Sequence, residues 1–182
     1  DSDTYGFVAV KGGTLTNSIT STSGAVLTDA VLNADDITIA SANNTTSPNV
    51  IQFNDSSGGF VTSSGATINT TINQTNNVNA TGNKKVYGLN SLTFDLDNSA
   101  DFSQKVNSSA SGFSVYNKAS SNLNVTGNNN VNISGNAGSY VKGGTVLVTE
   151  DEHNTLASNS DVEAHHFAGQ PSTYSNITVA NN

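Results

Sequence analysis

The chain has 182 residues and a formal net charge of −8, but only 11% of its residues are charged. All six basic residues are lysine, and they form no cluster of the kind that binds nucleic-acid phosphates. A pI of about 4.4 argues against docking on an anionic membrane, and no apolar run approaches the ~18 residues of a membrane helix. We therefore expect neither a nucleic-acid partner nor membrane insertion of the mature chain.

Cysteine, methionine and tryptophan are all absent. No disulfide can form, so packing and hydrogen bonds must stabilise the fold. The lack of oxidisable Cys and Met suits an extracellular, cell-surface protein. A first residue of Asp1, with no initiator Met, predicts a mature and processed form.

Short β-branched and aromatic groups recur along the chain and predict strands. Gly-, Asn- and Ser-rich turns separate them. In chain order, the predicted strands are 5–11, 14–20, 25–33, 37–41, 50–54, 59–62, 67–72, 85–95, 112–116, 122–126, 130–134, 139–149 and 174–180. One helical stretch is predicted at 149–157, where Thr149 and Glu152 fit a capping box.

Many short strands at roughly regular spacing predict an all-β fold, an antiparallel immunoglobulin-like or jelly-roll sandwich. The alternative is a β-solenoid, because 123–128 is echoed by 131–136 and 10–15 by 141–146. The predicted organisation is an N-terminal arm, 1–13, and one sandwich domain, 14–182. The predicted core includes Val8, Val10, Phe60, Leu92, Phe94 and Phe113, among other apolar residues.

The N-terminal segment 4–11 has two interpretations. It is either the first strand of its own sheet or a donor strand that completes a neighbouring subunit. In the second case main-chain hydrogen bonds give affinity and alternate side chains fill pockets, and the contact builds a filament because it does not close. The predicted donor residues are Tyr5, Phe7, Val8, Ala9 and Val10, and Gly12 and Gly13 are the predicted hinge.

Both ends of the chain resemble filament subunits. Residues 169–179 place a Gly and Tyr174 before an alternating strand, and this resembles the last strand of pilin-type subunits of the spore-coat-U and archaic chaperone–usher families. Gly12-Gly13-Thr14 is similar to the Gly-Gly-Thr near the start of many pilins. The chain departs from those families in having no cysteine, and its Asn-, Ser- and Thr-rich composition resembles the archaeal surface threads more. The resemblance implies a filament subunit joined by strand exchange.

Ten Asn-x-Ser/Thr sequons are candidate N-glycosylation sites. A host that N-glycosylates would fill several of them, and the polar stretch at 69–79 is the first expectation. The sequons begin at Asn43, Asn44, Asn54, Asn69, Asn73, Asn79, Asn107, Asn124, Asn132 and Asn176.

Evidence for catalytic or metal chemistry is weak. Asp95, Asp97 and Asp101 alternate like the first ligands of a calcium loop, but the glycine and glutamate of that loop are missing. His153, His165 and His166 show no zinc-site spacing. No nucleophile-elbow, phosphate-loop or dinucleotide motif occurs. We expect no enzyme and no resident cofactor beyond calcium or N-linked glycans.

The sequence therefore predicts a structural subunit of an extracellular surface filament, a head-to-tail homopolymer that serves adhesion or biofilm formation. The alternative is a monomeric adhesin or surface-layer module that binds glycans or matrix.

Overall fold

A computed structural model describes residues 2–47 and 49–181, which form six β-strands and no helix. Long runs of alternating inward and outward side chains give strands of unusual length. Their bounds are β1 Ser2–Val10, β2 Gly13–Thr28, β3 Val31–Thr46, β4 Ile51–Thr81, β5 Lys85–Ile133 and β6 Tyr140–Asn181. None of the described residues lies in a helix that could cross a membrane.

All strand pairs in the described sheet are parallel. β1 and β2 pair with β4, β4 and β3 pair with β5, and β5 pairs with β6. The predicted antiparallel sandwich is therefore wrong. Alternating apolar and polar residues give the same period of two in parallel and antiparallel strands, so the pattern did not fix the strand direction. This sheet does not by itself show the alternative, a β-solenoid.

Paired residues lie a nearly constant distance apart in sequence. Thr16 pairs with Asn69, Asn69 with Asn122, and Asn122 with Asn176. The first two offsets are 53 residues and the third is 54. Asparagine side chains bond along these columns, as where Asn122 Nδ2 donates to Asn69 Oδ1 at 2.9 Å and Asn107 Nδ2 to Asn54 Oδ1 at 2.8 Å.

The strands lie in two layers that face each other across the core. Residues on either side of Gly112 meet there: Ser108 Oγ donates to Asn117 Oδ1 at 2.6 Å, and Gln104 Nε2 to Ser121 Oγ at 3.0 Å. We call the first layer β2 with 62–81 of β4, 115–133 of β5 and 169–181 of β6. The second layer is β3 with 51–57 of β4, 85–110 of β5 and 140–164 of β6.

The two layers are staggered along the direction in which the strands stack. Gln74, on β4 in the first layer, donates through Nε2 to the carbonyl oxygen of Asn43 at 3.3 Å and to that of Ser99 at 2.6 Å. Asn43 and Ser99 belong to β3 and β5, which are neighbours in the second layer. An interior strand of one layer therefore faces two strands of the other.

Apolar and polar zones alternate along the core. One apolar cluster includes Val86, Leu92 and Phe94, a second surrounds Ile72, Phe102 and Leu123, and a third surrounds Ile68, Val106 and Ala119. Between the first two clusters lie buried Asn43, Gln74, Asn76 and Asn98, which bond to backbone carbonyls or to one another. Between the second and third lies Gln104, bonded to Ser121 and Ser158. Partners for most of these polar groups reduce the cost of burying them.

The predicted helix and part of the predicted core were wrong. The capping-box stretch 149–157 lies in β6, where its residues pair with 95–103 of β5. Local helix signals were overridden because the neighbouring strand satisfies the backbone in extended form. Val8 and Val10 are 60% and 74% exposed, and Phe60 and Phe113 are each 49% exposed, whereas Leu92 and Phe94 are buried as predicted.

Replacing a core phenylalanine tests this packing. We expect Phe94→Ala to lower the free energy of unfolding by about 3–5 kcal/mol, because a buried ring leaves a cavity. The matched control is Phe167→Ala, whose ring is 83% exposed, and it should cost about 0.5–1.5 kcal/mol, the contribution of its one ring contact. Urea unfolding followed by circular dichroism measures both, and equal losses would contradict the assigned core.

Candidate assembly surface

Four phenylalanines form one exposed column at the bends between the two layers. The ring centroids of Phe7 and Phe60 are 5.2 Å apart, those of Phe60 and Phe113 5.1 Å, and those of Phe113 and Phe167 5.1 Å. The rings are nearly parallel, with interplanar angles of 3°, 3° and 13°. We call this set the aromatic column. Each contact contributes about 0.5–1.5 kcal/mol beyond its buried area.

Glycines next to the rings make the bends possible. A Cβ on Gly59 would collide with the backbone oxygen of Gly6, and a Cβ on Gly112 with that of Gly59. The close approach of successive bends therefore requires glycine at these two positions. Regular pairing also skips the bend: Gly58 pairs with Ser111 and Val61 with Ser114.

The two ends of the column are more exposed than its middle. Phe7 is 76% and Phe167 83% exposed, against 49% for each of the two rings between them. Each terminal ring has a described neighbour on one side alone. The outer strands are also paired on one side alone. β1, β2 and β3 each have a described partner along one edge, and so do the first-layer and second-layer parts of β6.

The predicted donor segment lies in β1, which pairs with β4 of the same chain. Tyr5, Phe7, Val8 and Val10 are exposed and Ala9 is buried. Lys11 continues this attachment, since its N–H donates to the Ser63 carbonyl at 2.8 Å and its Nζ lies 3.6 Å from Oδ1 of buried Asp55.

The predicted hinge and domain boundary fall between two strands of one sheet. Gly12 and Gly13 stand where β1 ends and β2 begins, and both strands pair with β4. A Cβ on Gly13 would lie 2.6 Å from Cζ of Phe53, so packing also explains glycine there. Asp1 and Asn182, at the outer limits of the predicted arm and domain, lie outside the described residues.

The predicted calcium ligands are not brought together. Asp95, Asp97 and Asp101 lie on one extended stretch of β5, so six residues separate the outer pair by roughly 20 Å. Asp95 Oδ1 accepts a hydrogen bond from the Thr149 hydroxyl at 2.6 Å instead. Among the described residues no group of three or more acidic, His or Cys side chains could hold a metal ion.

Two of the histidines each lie beside an exposed carboxylate. His153 Nε2 lies 2.9 Å from Asp151 Oδ2, and His165 Nε2 lies 2.9 Å from Glu163 Oε1. His166 Nδ1 lies 3.4 Å from the Ala164 carbonyl oxygen, and it does not share these partners. The arrangement gives no convergent nucleophile, base and third group.

Most sequons share one surface. The asparagines at 69, 73, 79, 124, 132 and 176 point outward from the first layer, and Asn44, Asn54 and Asn107 point outward elsewhere. Asn43 instead points inward and is 3% exposed, with its Nδ2 donating to the Ser21 carbonyl at 2.9 Å. A glycan on Asn43 is incompatible with this packing.

Charge is separated between the two layers. The first layer carries no acidic residue, and Lys118 is its single lysine, within the described ranges defined above. The second layer carries most of the charge, including Asp95, Asp97 and the Glu150–Glu152 cluster. The outer face of the first layer therefore consists mainly of hydroxyl and amide groups.

The aromatic column was not found from the sequence, although a signal was present. Gly-Phe recurs at Gly6-Phe7, Gly59-Phe60 and Gly112-Phe113, and Phe167 follows 54 residues later. Comparing the chain with itself at an offset of 53 would have found it.

Comparison with known proteins identifies no relatives. No known protein family matches the chain, and neither the curated proteins nor the solved structures contain a significant match.

The glycines of the bend provide one test. We expect Gly59→Ala to destabilise the fold by about 2 kcal/mol or more, because its Cβ meets backbone that cannot move aside. Gly65→Ala is the matched control, since nothing lies within 4 Å of its Cβ. That change should be neutral or stabilise by about 0.4–1 kcal/mol. Urea unfolding distinguishes them, and a harmless Gly59→Ala would refute the close approach of the bends.

The adjacent sequons at Asn43 and Asn44 provide a second test. When the chain is secreted from a glycosylating host, we expect folded protein to carry no glycan on Asn43, because that side chain is buried. Asn44, which is exposed, is its neighbour and control. Peptide mass spectrometry of Asn43→Gln and Asn44→Gln separates the two sites. Folded protein glycosylated at Asn43 would contradict the inward register of β3.

Proposed function

We propose that this protein is a structural subunit of an extracellular surface filament, joined by strand addition between identical subunits and serving adhesion or biofilm formation. The observation that supports this most directly is the parallel stacking of equivalent residues, because a further copy could pair with a strand edge in the way that the strands of one chain pair with each other. At each end of the sheet, backbone N–H and C=O groups of long strands lack a described partner along one edge. Such edges are templates for pairing with another chain.

The length of the open edges adds to this support. β2 and β3 each have 16 residues, and β6 has 42. Native proteins usually shorten or cover edge strands, or place charges and prolines on them. Residues 172–181 of β6 contain no charged residue and no proline, so this part of the β6 edge lacks those defences, whereas 140–171 carries both.

The exposed rings at the ends also favour association. An exposed Phe7 or Phe167 face that meets another ring would gain the same stacking contact that the inner rings already have. Apolar side chains on strand ends add area that association would remove from water.

Donor-strand insertion and edge addition are two routes to the same kind of filament. In the first, residues near 4–11 leave β4 and enter another subunit. In the second, β1 stays in place and the sheet edge recruits the neighbour. Edge addition is favoured here because β1 is tied to β4 through its backbone and through Lys11.

A second candidate function is a monomeric surface module that binds glycans. The outer face of the first layer favours it, because its columns of Thr and Asn side chains can form hydrogen bonds with a repetitive polysaccharide and Lys118 is the single charge within its described ranges. In this case open edges would be incidental, and the protein would be a monomer.

Fibre diffraction from aligned assemblies tests the proposed function. Edge addition places strands across the filament axis, so we expect a meridional reflection at about 4.7–4.8 Å. Removal of 1–13 should weaken assembly without abolishing it, since the β6 edge remains. If filaments formed without that reflection, and if removal of 1–13 abolished them, donor-strand insertion would be supported instead. Monomers at all concentrations, with glycan-array binding, would favour the second candidate.

A further inference from the structure

A groove lies on the outer face of the second layer and continues to the bend. Two depressions form it, with cavity volumes of about 590 and 160 Å³, and both are lined by Ser56, Ser109 and Glu163. The larger depression extends along the strands as far as Lys105, and the smaller one reaches Tyr5 at the bend. The larger volume alone lies within the range of small-molecule sites, about 300–1,000 Å³.

Small residues form the floor of the groove at the bend. Tyr5, Gly58, Ser111 and His165 lie in one row across four neighbouring strands. A Cβ on Gly58 would lie 2.8 Å from Cδ1 of Tyr5, so the Tyr5 ring lies over this glycine. Gly58 and His165 are two strand spacings apart, ~9.6 Å. An opening with room for one sugar ring therefore remains above Ser111, and we call it the cup.

The groups around the cup combine an aromatic ring with hydrogen-bonding side chains. Tyr5 is 74% exposed, so its ring is accessible at one side. At the other side His165 Nε2 lies 2.9 Å from Glu163 Oε1. Ser109 and Ser111 add hydroxyl groups. A pyranose ring has an apolar C–H face, which packs on aromatic rings, and a rim of hydroxyls, which donate to carboxylates. The cup therefore has the chemistry of a sugar-binding site.

The charge of the groove narrows the class of sugar. Among the described residues of its lining, the outward carboxylates are Asp3, Asp161 and Glu163, and the ammonium group is that of Lys105. This excess of negative charge repels uronic acids and sulfated sugars. Carboxylates accept hydrogen bonds from neutral hydroxyls and form stronger ones with ammonium groups. Neutral and amino sugars therefore fit the groove, and acidic sugars do not.

We propose that this groove binds an oligosaccharide of neutral or amino sugars, with one ring in the cup and the next rings along β5. The larger depression continues from Ser109 to Lys105, ~13 Å along the strand, which is long enough for more than one ring. The proposal rests on the adhesive role in the proposed function, and it gives that role a site and a ligand class. The groove is distinct from the outer face of the first layer.

Binding measurements test the proposal on protein made without glycosylation. A glycan array carrying neutral, amino and acidic oligosaccharides identifies the best ligand, and calorimetric titration measures its affinity. We expect non-acidic glycans to bind and acidic ones to bind at least tenfold more weakly. Ser111→Trp fills the cup and Tyr5→Ala removes the ring, so each should lower the affinity at least tenfold, whereas Tyr5→Phe should keep it. Asn124→Trp is the matched control, because it places the same bulk on an exposed position of the first layer.

The remaining outcomes decide against the groove or separate it from the filament. Binding lost in Asn124→Trp and kept in Ser111→Trp would move the ligand to the first layer and overturn the proposal. Absence of binding to every non-acidic glycan, or equal binding of acidic ones, would overturn it too. Sedimentation velocity should show Ser111→Trp associating as the wild type does. A wild type that is monomeric and yet binds through the cup would refute the filament and support the groove. Circular dichroism confirms that the compared variants are folded.

Discussion

The structure depends on parallel pairing between residues 53 to 55 positions apart. This pairing aligns each strand with its equivalents, so similar side chains stack in columns: Phe on Phe at the bends and Asn on Asn along the faces. Stacked amides satisfy one another, and stacked rings share surface. Within the described residues, β1, β2, β3 and β6 each have a strand neighbour along one edge.

The sequence predicted the strands but not their arrangement. Alternation in 67–72 and 85–95 was sufficient to place strands there, because period two is a local property. Direction and partner are not local. The recurrence of Gly-Phe reflects which strands are partners, because Phe60 and Phe113 lie side by side at exposed bends and not in the core. The helix expected at 149–157 failed for a related reason, since β5 supplies backbone partners that a capping box cannot outweigh.

Part of the candidate assembly surface could be predicted from the sequence. Tyr5 and Phe7 were singled out as interface residues, and the structure places them at an exposed end of the sheet, where their role in assembly stays a prediction. Phe167 was not singled out, because His165-His166 before it breaks the Gly-Phe pattern.

Because charge is separated between the layers, their outer surfaces differ in chemistry. The second layer presents acidic groups that repel one another and favour solubility. The first layer presents uncharged hydroxyl and amide groups together with most of the sequons. Glycans attached there would cover a broad face while leaving the strand edges at the ends free. Assembly through the ends and modification of a face are therefore geometrically compatible.

Distances between spin labels on neighbouring strands test the central pairing most directly. The chain has no cysteine, so introduced pairs are the sole thiols. Ser18 pairs with Thr71 and Thr71 with Asn124, so both pairs should give the strong broadening of one strand spacing, ~4.8 Å between backbones. Labels at Ser18 and Asn124, two spacings apart at ~9.6 Å, should interact more weakly. Absence of interaction between labels at Thr71 and Asn124 in dilute, monomeric protein would contradict the parallel pairing on which this account is built.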